Sequence, residues 1–278
     1  MLHATRAGVS TRDRLRPGTR VGDYKVVAQV RGEETGVVYA SVHLVLPRRA
    51  AVKVGHVGGR ELAVKLLREA CILEALSHPG VPRVFECGVL PDKRPWVALE
   101  LVHGAALADA MKDGPIAIAD LVVAMRAVAE ILEHAHARGV VHHRIDEAVV
   151  LRTPDRAFPL CLTGWGEVSA GRDVDPSCDV HALGALAFRA LTGSLLEPTA
   201  SAQVQCPSAP AELTSLIDAM LAPDAPARPS AAEIHARAAW IAETLELAPP
   251  AKTRWTPPHG EVAQPPAPSV DFQVRIKS

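Results

Sequence analysis

From Glu61 to Leu76 the chain sets Leu62, Leu66, Leu73 and Leu76 on one apolar stripe at helical period, with Glu69 in the middle of it. A helix of this kind must bury its stripe, and a carboxylate carried into a core needs a partner. Lys65, one turn back, is the local candidate, but such a pair contributes only about 0.2–0.5 kcal/mol. Otherwise a cation must come from a separate element packed on the helix.

Around this helix lie alternating segments near 24–30, 37–46, 50–54, 83–90 and 95–101, which read as five strands of an antiparallel sheet. Helical patterns dominate further on. Leu121, Met125, Val128, Leu132 and Ala135 share one face of a long helix that Gly139 ends. Leu213, Leu216, Ile217, Met220 and Leu221 mark another, stopped by Pro223, and Ser230 with Glu233 forms a capping box for the last.

Residues 139–151, Gly-Val-Val-His-His-Arg-Ile-Asp-Glu-Ala-Val-Val-Leu, have the frame of the H-R-D-L-x-x-x-N loop. Ala51-Val52-Lys53-Val54 resembles the V-A-I-K strand, and Asp179-Val180-His181-Ala182-Leu183-Gly184 resembles the D-x-W-x-x-G start of a core helix. With their order and spacing, these motifs make residues 20–245 resemble the bacterial type of serine/threonine protein kinase. The resemblance implies an α+β, two-lobed fold. Its N-lobe, 20–103, would hold the five-stranded sheet and one helix, and its C-lobe, 104–247, would be mainly helical, between a flexible leader, 1–19, and a proline-rich tail, 248–278.

The chemistry departs from the family at each active position. Arg144 stands where the family has the catalytic aspartate, and Val149 where an asparagine holds a magnesium ion. A guanidinium takes no proton at neutral pH, and valine has no oxygen for a hard cation. Sliding the register by one would read His143-Arg144-Ile145-Asp146 as the motif and recover an acid, but Gly139-Val140-Val141 leads into His142 at the family's usual spacing. No register supplies the asparagine, because the chain contains none.

At the D-F-G position stands Gly164-Trp165-Gly166, so the magnesium-binding aspartate is a glycine. Of the glycine-rich loop, which falls on Arg31, Glu33, Gly36 and Val38, only Gly36 survives as glycine. Glu33 and Glu34 bring negative charge to where phosphates would lie, and at about 4 Å with an effective dielectric near 20 one such repulsion costs roughly 4 kcal/mol. Only twelve residues separate Gly166 from Asp179, too few for an activation segment.

The resemblance also implies what is kept. Lys53 pairs with Glu69, and Gly36, Val38 and the hinge backbone at Glu100 and Leu101 would line a nucleotide pocket. His142, Asp179 and Arg228 are structural. The Asp179 carboxylate would bind the catalytic-loop backbone, cap its own helix, or do both. Arg228 lacks its usual glutamate, leaving Glu167, Asp173, Asp175 or solvent as its surroundings.

A net charge of −1 gives no electrostatic footprint for nucleic acid or an anionic membrane. No signal peptide or membrane span is visible. Five dispersed cysteines without a C-x-x-C pair read as buried thiols in a reducing cytoplasm. His134 and His136 are two apart on a helix and diverge, so they and His142 and His143 do not read as a metal site.

Three readings follow. In the first, the chain is a pseudokinase without catalytic residues, a regulatory or scaffolding module for a protein partner, either an active kinase or a phosphopeptide-binding module. In the second, it is a non-standard ATP-dependent phosphoryl or nucleotidyl transferase using Asp146, Glu147 or Glu167. In the third, it binds nucleotide without metal. ATP is the candidate ligand in that case, and magnesium is not expected.

Overall fold

The structure is a computed structural model that describes residues 14–33, 35–57, 60–171, 175–197 and 199–246. Glu34, Asp173, the tail from 248 and most of the leader lie outside the described residues, as do the side chains of Leu62 and Glu167.

Six strands make the main sheet: β1 (Arg20–Val21), β2 (Tyr24–Gly32), β3 (Gly36–His43), β4 (Arg49–Gly55), β5 (Val84–Val89) and β6 (Pro95–Glu100), with helix α1 (Arg60–Leu76) between β4 and β5. Their order is β1-β2-β3-β4-β6-β5, antiparallel throughout. The sequence pattern accounts for five of them. The sixth, β1, is a two-residue edge strand pairing Val21 with Tyr24. Nothing so short carries an alternation to read; the Arg20 guanidinium secures it by bonding the Gly22 carbonyl and the Asp23 carboxylate.

Both faces of the sheet are covered. Tyr24, Val26, Val37, Tyr39, Val52, Val54 and Trp96 pack together on one side. Leu66 and Ala70 of α1 meet Val97 on the other. Alternation along β4 sends Val52 and Val54 to the first core and leaves Lys53 facing α1. Gly36 has to be small, because a Cβ there would lie 2.3 Å from the Val54 carbonyl oxygen.

The rest is helical, apart from short strands. After β7 (Ala105–Ala106) come α2 (Leu107–Ala110), α3 (Ile118–His136), β8 (Val140–Val141), β9 (Val150–Arg152), β10 (Leu160–Leu162), β11 (Ser169–Ala170), α4 (Ser177–Thr192), α5 (Ala202–Gln205), α6 (Ala211–Met220) and α7 (Ala231–Thr244). All five residues of the predicted α3 stripe are buried. The Ser230–Glu233 capping box forms at the start of α7. One core joins the C-terminal end of α1, through Leu73 and Leu76, to α3, α4, α6 and Trp165, so the two lobes share apolar packing.

The cysteines differ from expectation. Cys161 alone is buried, with its thiol pushed up to about 12 by desolvation, whereas Cys71 and Cys87 are exposed and Cys178 and Cys206 half-buried. Cys71 lies on the outer face of α1 and Cys87 on the edge strand β5, where half of each element faces water.

Gly36→Ala is expected to lower stability by roughly 1–3 kcal/mol, since the methyl group must push β3 off β4. A shift of the urea midpoint without a change of slope would register it.

Candidate functional site

Lys53 is 2% exposed. Its ammonium lies 2.6 Å from Glu69 Oε2 of α1 and 2.6 Å from Glu33 Oε2 of the β2–β3 hairpin. Glu33 Oε1 also accepts from Arg31 Nε at 2.7 Å. Burial opposes the charge on Lys53, but Glu69 and Glu33 outweigh it and hold the ammonium above the usual lysine range. For Glu33, burial is outweighed by Lys53 and Arg31, so its carboxyl is held low. For Glu69, burial prevails over Lys53 and the carboxyl is raised.

The hairpin is folded onto this group. Glu33 and Gly36 exchange backbone hydrogen bonds of 2.7 and 3.3 Å, and the His56 ring lies 2.9 Å from the Glu33 carbonyl. Thr35 is buried beneath the turn. Val38 sits directly opposite Lys53 in the β3–β4 register. At the hinge the Glu100 N–H is already donated to the Arg83 carbonyl at 2.8 Å, so of the Glu100 backbone groups expected to face an adenine ring, the N–H is spent. The Glu100 carboxylate lies between Arg83 and Arg156, tying the hinge to the loop between β9 and β10.

Asp179 organises the loop between β8 and β9. It is wholly buried, and its carboxylate accepts the His142 and His143 amides at 2.8 Å each and bonds His136 Nε2 at 2.9 Å. It caps nothing on its own helix; Asp175, two residues before Ser177, receives that N–H instead. Burial tends to raise the Asp179 carboxyl, but the bonds from His136, His142 and His143 hold it low.

His142, not His143, takes the buried place. Its Nε2 is 3.0 Å from the Thr163 carbonyl, its Nδ1 accepts the Arg144 N–H at 3.2 Å, and its ring meets Trp165 edge-on at 4.5 Å. One nitrogen donating and the other accepting describes a neutral imidazole, and burial lowers its pKa accordingly. His143 reaches Ser169 and Cys178, and His134 meets the Leu76 carbonyl. No cluster of potential metal ligands occurs among the described residues.

The positions that hold magnesium in the family face each other here without an oxygen. Gly164 has φ +83°, and a Cβ built on it would lie 2.7 Å from Val149 Cγ1. The valine methyl therefore fills the space a side chain at 164 would need. Gly166 brings the turn against the ion pair, its virtual Cβ 3.4 Å from Lys53 Nζ. These residues do not fit a divalent cation.

Asp146 Oδ1 accepts the Ala148 and Val149 amides at 2.8 and 3.1 Å, and Glu147 pairs with Arg189 of α4. Arg228 binds the carbonyls of Ala222, Ser177 and Pro223. Of the acids expected near it, Asp175, whose carboxyl the Ser177 bonds hold low, feels its charge as a further lowering influence, while Asp173 and the Glu167 side chain lie outside the described residues. Sequence reasoning put negative charge at Glu33 but missed its bond to Lys53, and it missed His136 on Asp179 altogether. The hydrogen-bonding types were visible; the pairings depend on loop paths.

No family model matches the chain. It is 28% identical over 209 residues to the serine/threonine-protein kinase Pkn1 of Myxococcus xanthus, an alignment covering 64% of this chain and 30% of that protein. It is 29% identical over 209 residues to the serine/threonine-protein kinase PknJ of Mycobacterium tuberculosis, covering 64% and 35%. The crystal structure of the M. tuberculosis PknI kinase domain superposes with a TM-score of 0.66 at 25% identity, over 84% of this chain and 100% of that one.

The fold is thus that of a two-lobed protein kinase, and the sequence is similar to those of bacterial serine/threonine protein kinases. The chain spans about a third of the length of those curated relatives.

A carboxyl whose folded pKa is depressed adds stability above its unfolded pKa and loses that contribution as pH falls through the folded value. Asp179→Asn is therefore expected to lower stability at pH 7 by about 1–3 kcal/mol, through an imperfectly satisfied pair of amides. The gap to wild type should narrow below about pH 4, where urea unfolding at stepped pH would follow it.

Proposed function

We propose that this chain is a kinase-like module that does not transfer phosphate and acts by presenting its surfaces to a protein partner. The contact between Val149 and Gly164 carries the reading. At both metal positions an oxygen ligand is gone, and the side chain at one fills the room needed at the other. The third position, Arg144, is a cation where a base is needed, and a general base alone contributes about 10²- to 10⁴-fold.

Of the displaced acids named for the transferase alternative, Asp146 and Glu147 offer it little support, and the Glu167 side chain lies outside the described residues. Asp146 is occupied by its own loop and Glu147 by Arg189. The partner we favour is an active kinase or a phosphopeptide-binding module. Five unpaired cysteines fit a reducing compartment, so the proposed setting is the cytoplasm. Among the described residues, no helix is long and apolar enough to cross a membrane.

Two assays test this together: radiolabelled phosphate transfer from ATP to the chain and to a generic basic protein, and thermal shift with ATP, with and without magnesium or manganese. The expected result is no transfer and no metal-dependent stabilisation. Metal-dependent transfer that survives repurification would overturn the proposal. Gly164→Asp should restore nothing and should destabilise the fold by roughly 1–3 kcal/mol, because its Cβ meets Val149.

A further inference from the structure

We propose that Glu33 is a built-in substitute for nucleotide phosphate, an intramolecular carboxylate that closes the cleft by occupying the phosphate-binding face of Lys53. The inference goes beyond lost catalysis and rests on the reading of the cleft as kinase-like.

Three observations carry it. The Glu33 carboxylate is bonded to Lys53 at 2.6 Å, the same distance as Glu69, so the cation is shared between an acid on α1 and a second acid on the β2–β3 hairpin. Arg31 holds the other carboxylate oxygen at 2.7 Å, which orients the acid toward Lys53. The hairpin is secured from outside the ion group: the His56 ring binds the Glu33 carbonyl at 2.9 Å, and the His56 N–H meets the Thr35 carbonyl at 3.4 Å.

Lys53, Arg31, Glu33 and Glu69 sum to zero charge, so the group is neutral without a ligand. An incoming triphosphate would set its own oxygens against the Glu33 carboxylate, and no cluster of metal ligands stands among the described residues to offset the repulsion. To bind, it must first swing Glu33 away and undo the hairpin's bonds. The occupied and closed states are mutually exclusive.

Removing the carboxylate is the test. ATP binding to the full chain is measured by calorimetry in EDTA for wild type, Glu33→Gln, Glu33→Ala and the double variant Glu33→Gln with Lys53→Met. Glu33→Gln and Glu33→Ala are expected to bind ATP at least about tenfold tighter than wild type, and the double variant to lose that gain. AMP, with no β- or γ-phosphate, should gain little. Equal or weaker ATP binding by both single variants, with unchanged circular dichroism, would overturn the proposal. So would an equal gain for AMP, which would assign the loop to the adenine instead. Neither outcome bears on phosphate transfer, so failure here and failure of the inactive reading are separable.

Discussion

A buried ammonium cannot be left alone, and Lys53 is buried almost completely. Its position on β4 therefore dictates what surrounds it: α1 must bring Glu69 to the inner face of the sheet, and the β2–β3 hairpin must fold down far enough for Glu33 to reach. Gly166 lies against the same group, where an added Cβ would be 3.4 Å from Lys53 Nζ and 3.6 Å from Glu69 Oε2. The ion group is a poor explanation of stability, because desolvation consumes most of what the charges return. Stability comes from Leu66, Ala70 and Val97 beside it and from the core that runs from Leu73 to Trp165. What the charges contribute is orientation. Only one placement of helix, strand and hairpin neutralises all of them.

Asp179 plays the matching part in the helical lobe. It satisfies two backbone amides of the loop after β8, and His142 then links that loop to Thr163 and Trp165. The loop keeps its shape through these bonds, none of which involves the side chains at 144 and 149. Arg144 and Val149 ride on the same loop, but nothing in its folding depends on an acid or an amide at those places. Val149 even adds a packing contact with the turn at Gly164.

Features set by local periodicity or by one turn of chain were legible in the sequence: the α1 and α3 stripes and the Ser230–Glu233 cap. The pairing of Lys53 with Glu69 was legible only through resemblance, because the residues are sixteen apart and the pattern alone left Lys65 as an equal candidate. Glu33 shows the limit more sharply. Its charge is plain in the sequence, yet whether it repels a ligand or binds Lys53 depends on a hairpin closed by four residues. Arg228 shows another side of the same limit. An arginine invites a search for an acid, whereas here its hydrogen bonds go to two carbonyls just past α6, Ala222 and Pro223, and to the Ser177 carbonyl at the start of α4.

These two centres bear on how such a module would be read by a partner. In a protein whose cleft needs a ligand for neutrality, the shape of the small lobe follows ligand occupancy. Here the neutralising charge belongs to the chain, and Glu100 clamped between Arg83 and Arg156 further restrains the hinge. A ligand moves a conformational equilibrium only by its difference in affinity between two states. With Glu33 in place, the open state starts with its Lys53 contact unmade, so any nucleotide must supply that deficit before it shifts the population. On the proposal made for Glu33 the closed shape is the resting one, and a partner that recognised it would need no nucleotide to find it.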